Sequence, residues 1–134
     1  MLFEIKVNYQ RQTGEDNPGL VNEAYIVEGE TPADVQNQLL ENIHSLIFGE
    51  LEVPQIRQRK FFDIFANEAC ENWYEAKVEM ITIDGDVERR RAVLVLVQAD
   101  SIADAVGVLA DKLGTYDCEL TQVVKSKIVE VYRA

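Results

Sequence analysis

The sequence predicts an α+β fold, a tandem duplication of a β-β-α-β unit with mainly antiparallel sheet and two helices. Three observations predict it. Period-2 alternation of apolar and polar residues opens both halves of the chain. Two helix starts carry a Thr or Ser cap followed three residues later by an acid. The order of elements recurs at a nearly constant offset. The 134 residues suit one domain, here built of two pseudo-symmetric repeats at about 1–67 and 72–134.

In the first copy, Phe3, Ile5, Val7 and Tyr9 alternate with Glu4, Lys6 and Asn8, the pattern of a half-buried strand. Gly14 to Gly19 reads as a loop and Ala24–Val27 as a second strand. Thr31-Pro32-Ala33-Asp34 opens a helix, because the hydroxyl caps, the proline suits the first turn and the acid complements the dipole. Val35, Leu39, Leu40, Ile43 and Leu46 or Ile47 form its apolar stripe, and Gly49 is the natural stop. One extended stretch follows from about Val53 to Phe65, with Pro54 favouring an edge or strand entry.

The second copy restates this. Tyr74, Ala76, Val78 and Met80 alternate, Asp84-Gly85 marks a hairpin turn, and Ala92–Val97 is apolar on both faces, as a central strand would be. Ser101-Ile102-Ala103-Asp104 starts the helix, Ile102, Ala105, Val106, Leu109 and Leu113 line it, and Gly114 ends it. A last strand runs from about Leu120 to Tyr132. Glu4, Lys6 and Val7 recur as Glu75, Lys77 and Val78; Val27, Ala33, Asp34 and Leu39 recur as Val97, Ala103, Asp104 and Leu109. Lys60, Asp63, Ile64 and Phe65 answer to Lys127, Glu130, Val131 and Tyr132. A right-handed crossover returns the third strand parallel to the second. With that strand beside the first, each copy makes a three-stranded antiparallel sheet under one helix, too small to stand alone.

Several function classes are disfavoured by composition. A net charge of −11 repels phosphate backbones, which argues against general nucleic-acid binding. Residues 1–67 carry 11 acids and 5 bases and residues 68–134 carry 13 and 8, so the charge belongs to the repeated body rather than a tail. No apolar run spans a membrane, the N-terminal residues do not read as a secretory signal, and two cysteines fit a reduced, cytoplasmic setting.

Phe3-Glu4-Ile5-Lys6-Val7, Lys60–Phe65, Asn72–Val78 and Val95–Asp100, taken in this order, resemble a family of short proteins from Bacteroidetes and their phages, classed as a domain of unknown function. The resemblance covers nearly the whole chain and rests on strand cores and helix caps. It implies a phage or mobile-element setting and carries no catalytic residues.

Phosphate-loop, dinucleotide, nucleophile-elbow and zincin motifs are absent. His44 has no triad partner in sequence and reads as a polar-edge residue. Cys70 and Cys118 read as bystander thiols, and with His44 they are too scattered for a zinc set. Asp84 and Asp86 lack the continuation of a calcium loop. No catalytic residue, metal or cofactor is assigned. Arg57, Arg59 and Lys60, with Arg89, Arg90 and Arg91, are the candidate anion-binding residues, against the simpler reading as edge-strand charges paired with local carboxylates. Trp73, Phe61, Phe62 and Ile81 are the candidate interface residues.

The expectation is a non-catalytic binding protein acting through protein–protein contacts, with a protein partner or a second copy of itself. The alternatives are a nucleotide-like anion held in the groove between repeats, and an acidic decoy for a nucleic-acid-binding protein.

Overall fold

The computed structural model describes residues 1–11 and 20–133, and the expected Gly14–Gly19 loop lies outside the described residues. Among the described residues the chain is α+β, with two helices and two four-stranded sheets. It divides into two compact units, Met1–Lys60 with Lys127–Ala134, and Phe61–Ser126.

In the first unit, strands β1 (Leu2–Arg11) and β2 (Leu20–Glu28) pair antiparallel, with Leu2 opposite Glu28 and Gln10 opposite Leu20. Helix α1 (Pro32–Ile43) starts as its sequence dictates: the Thr31 hydroxyl accepts from the Asp34 amide at 3.2 Å, with proline in the first turn. Its buried residues Val35, Leu39 and Ile43 pack on Phe3, Ile5, Val7 and Tyr9, the alternate residues of β1. The helix ends at Ile43, before the expected stop at Gly49, and a 3-10 turn of His44–Leu46 leads into β3 (Ile47–Arg59). Leu40 and Leu46 lie exposed, outside the stripe expected of them. Gly49 instead takes φ 82 within β3, beside irregular pairing with β1, a backbone shape that favours glycine. β3 is an outer strand, as Pro54 led one to expect, and pairing with β1 skips at Val53–Pro54.

In the second unit, β5 (Asn72–Asp84) and β6 (Val87–Ala99) form a hairpin in continuous register from Asn72 opposite Ala99 to Asp84 opposite Val87. Gly85 and Asp86 make the turn, with Gly85 at φ 64, as a II′ turn requires of its first central residue. Helix α2 (Ile102–Lys112) is capped by the Ser101 hydroxyl, which accepts from the Asp104 amide at 3.1 Å. Asp104 in turn accepts from the Asp100 amide at 3.2 Å. Ala105, Leu109 and Leu113 pack on Tyr74, Ala76, Val78, Val95 and Val97, while Ile102 and Val106 are exposed.

The extended stretch expected from Val53 to Phe65 is two strands in different sheets. β3 ends at Arg59, and β4 (Asp63–Phe65) pairs parallel with β6 in the second unit. The last stretch divides likewise: β7 (Cys118–Lys125) pairs with β5, and β8 (Ile128–Tyr132) pairs parallel with β2. The sheet orders are β3-β1-β2-β8 and β4-β6-β5-β7. Each sheet therefore has four strands rather than three, and its fourth comes from the other half of the sequence. The registers correspond: Asp63 faces Val95 and Phe65 faces Val97, while Glu130 faces Tyr25 and Tyr132 faces Val27. These are the positions that the repeat expected from the sequence would equate.

Candidate functional site

The strands set which side chains can meet. On β6 the alternate residues Val93, Val95 and Val97 face α2, so Arg89 and Arg91 share that face and Arg90 points to the other. Arg90 is the centre of a carboxylate network: its guanidinium lies 3.0 Å from Glu79, 2.8 Å from Glu119 and 3.6 Å from Glu88. Those carboxylates hold it well above even the usual arginine range, so it stays a permanent cation. Arg89 and Arg91 lie opposite Thr82 and Met80, which offer no charge. With Tyr116 and Asp117 they line a shallow pocket of about 640 Å3.

In the first unit, Arg57 and Arg59 on β3 converge on Glu4 of β1. Arg57 donates to Glu4 Oε1 at 3.1 Å, and Arg59 donates to the same oxygen. The Glu4 and Arg59 side chains are only 8% and 10% exposed, whereas Arg57 is 49% exposed. These two arginines, with Arg90, follow the simpler sequence reading, edge charges paired with local carboxylates. Lys60 is exposed at the end of the unit. The six basic candidates thus fall into separate units, three in each.

The apolar candidates are mostly consumed by the fold. Trp73 does lie on the sheet face opposite Tyr74, but it is 1% exposed and is no exposed anchor for a partner. That second face is itself buried, at Leu96 and Gln98 as well as Trp73. The Trp73 indole N–H has no acceptor among the described residues. Phe62 packs against the second core and meets Tyr116 edge-on at 5.4 Å. Phe61 and Ile81 are half-buried. The most exposed large apolar side chains of this unit lie at the hairpin tip, where Ile83 is 69% and Val87 55% exposed.

His44 sits at the end of α1 with Nδ1 2.9 Å from the Glu41 carbonyl oxygen, a helix-end contact. Cys70, Asp100 and Asp104 bring ligand atoms within 4.8 Å of one another. Their surroundings oppose a cation there, because both carboxylates lie at the positive N-terminal end of α2, where Asp104 already accepts from the Asp100 amide. Burial first, and then Asp100 and Asp104, push the Cys70 thiol above its ordinary range, which keeps it protonated and a poor nucleophile. Gln98 holds the linker beside it, accepting from the Asn67 amide at 2.9 Å and donating to the Cys70 carbonyl at 2.8 Å. Cys118 donates weakly to the Leu113 carbonyl.

One further feature is a property of the backbone, which residue chemistry alone did not flag. The Phe62 amide donates to the Leu94 carbonyl at 2.7 Å, so Leu94 turns its polar groups away from β5. In an antiparallel ladder every second residue faces the same way, which directs the amides and carbonyls of Glu88, Arg90 and Ala92 outward as well. β4 pairs only with Val95–Val97, and among the described residues no strand covers Val87–Ala92 on that side. The signal was available in the sequence: Gly85 sets the hairpin register, and that register separates Arg90 from Arg89 and Arg91.

What these features define is an α+β protein of two four-stranded units, with a strand edge of β6 left uncovered among the described residues. The chain belongs to the family described as Domain of unknown function (DUF4494), whose model matches residues 1–134. No curated protein and no solved structure matches it. Among the described residues, no helix is long and apolar enough to cross a membrane.

Proposed function

We propose that this chain is a non-catalytic binding protein that engages another protein through the free edge of β6. The observation that carries the reading is the reach of the β5–β6 hairpin. β5 pairs with β7 only as far as Met80, and β6 meets β4 only from Val95, so the arm beyond them is a two-stranded ribbon. Its outward amides and carbonyls at Glu88, Arg90 and Ala92, and the apolar Ile83 and Val87 at its tip, are what an incoming strand uses. An accessory role in a phage or mobile element, inside a reducing compartment where Cys70 and Cys118 stay free thiols, belongs to the same proposal.

Affinity purification from the native host, with wild type and Ala92→Pro in parallel, tests it. Proline removes the outward N–H and spares the β5 ladder. A partner recovered with wild type and lost with Ala92→Pro is expected. Identical recoveries, or a monomer with no copurifying protein, would overturn the reading.

A second reading, a phosphate-bearing ligand with a planar group, is favoured by the pocket that places Arg89, Arg91 and Tyr116 together. Thermal shift against AMP and related nucleotides tests it, since a ligand bound only by the folded state raises Tm. No shift, or one that survives Arg89→Ala with Arg91→Ala, counts against it.

A further inference from the structure

We infer that the segment received by the β6 edge is an extended strand of a different protein, carrying acidic residues at alternate positions that pair with Arg89 and Arg91. The inference rests on the edge-pairing reading above and names the chemistry of the partner. In a chain with 24 acids and 13 Lys and Arg, two neighbouring arginines that form no ion pair, even with Asp117 lining the same pocket, are unexpected. Arg90 shows the ordinary outcome, contacting Glu79, Glu88 and Glu119 on its own face. Arg89 and Arg91 make no ion pair among the described residues, and their β5 neighbours, Thr82 and Met80, supply none.

Both arginines stand on the same face of the free edge, two positions apart, so their spacing is that of alternate residues on a neighbouring strand. A strand added outside β6 places its own side chains opposite them, at cross-strand distance on that face. Opposite charge at those two positions is stabilising and sets the register, while the backbone groups of Glu88, Arg90 and Ala92 supply the ladder.

Charge argues against a second copy of this chain as the occupant in the register centred on Arg90. Antiparallel self-pairing centred on Arg90 sets Arg89 against Arg91 and Arg90 against Arg90, like charges directly opposite one another. Two bodies of net charge −11 also repel on approach. An acidic strand reverses the first of these penalties at the edge itself.

The test uses the full chain and a fluorescein-labelled nonapeptide of alternating glutamate and valine, with a lysine-for-glutamate peptide as its control, read by anisotropy at two salt concentrations. The glutamate peptide is expected to bind and the lysine peptide not to. Replacing both arginines (Arg89→Ala, Arg91→Ala) is expected to weaken binding roughly tenfold and to flatten its salt dependence. Ala92→Pro is expected to abolish binding. If Ala92→Pro abolishes binding while the arginine pair is dispensable, the inference fails and the edge reading survives. If the arginine pair matters and Ala92→Pro does not, the peptide is held by charge alone and both fail. Displacement of the peptide by AMP assigns the arginines to a small anion and overturns the inference. Circular dichroism of each variant verifies that it is folded.

Discussion

The Phe62 amide and the Leu94 carbonyl meet at 2.7 Å, and this bond marks where β6 acquires a second neighbour. On one side of it the strand is central, with β4 parallel along Val95–Val97. On the other side, Val87–Ala92 keeps an outer edge with backbone groups turned outward. Inward and outward amides therefore alternate along one strand, and neighbouring substitutions should differ sharply. Ala92→Pro removes an outward donor and is expected to cost about 1 kcal/mol or less, whereas Val93→Pro removes a bond to β5 and is expected to cost about 3 kcal/mol or more. Urea titration of the two variants is the measurement.

The Glu4 carboxylate, nearly buried, is shared by Arg57 and Arg59. Glu4→Ala removes the carboxylate that both guanidinium groups contact and is expected to cost about 2 kcal/mol. Arg57→Ala removes the exposed member and is expected to cost less than about 1 kcal/mol. Equal losses in the two variants would contradict this division.

Tyr25 donates to Glu23 at 2.8 Å and stacks on Tyr132 at 6.1 Å between ring centres. Burial first, and then the Glu23 hydrogen bond and charge, push the Tyr25 phenol far above its ordinary 10.0. The neutral form is the one the fold favours, so this contribution is fully present below pH 10. It is lost as pH rises beyond that point, because the unfolded chain ionises first. Stability is expected to fall above about pH 10 more steeply in wild type than in Tyr25→Phe. At neutral pH the variant is expected to be about 1 to 2 kcal/mol less stable, having lost the hydrogen bond to a charged group. Chemical denaturation at pH 7, 9 and 11 reads both effects.

Cys70 is buried, and its thiol is held protonated by that burial and by Asp100 and Asp104. At pH 8 it is expected to react with iodoacetamide at least about tenfold more slowly than in the denatured chain. Asp100→Asn removes one of the opposing charges and is expected to raise the rate. A Cys70 that reacts as fast folded as unfolded would contradict the burial described.

Local chemistry made much of the fold legible. The alternation of β1, the Thr31 and Ser101 caps and the glycine turn at Gly85 each depend on residues a few positions apart. The division of β3 from β4, and of β7 from β8, was not legible, because neither Gln55–Phe65 nor Cys118–Tyr132 contains a glycine or proline to mark a break. Which sheet a three-residue strand joins depends on the free edge of β6, some thirty residues further on. The pairing of Glu4 with Arg57 and Arg59 was hidden for the same reason: it needs the register of β1 against β3. Trp73 was placed on the correct face by parity, but parity does not report whether that face is covered.

Amide hydrogen exchange along β6, with and without the glutamate–valine peptide, tests the central claim most directly. In the free chain, Arg89, Arg91 and Val93 should exchange slowly and Glu88, Arg90 and Ala92 quickly, with the second set becoming protected when the peptide binds. Peptide binding that leaves Glu88, Arg90 and Ala92 as exchangeable as before would contradict the account.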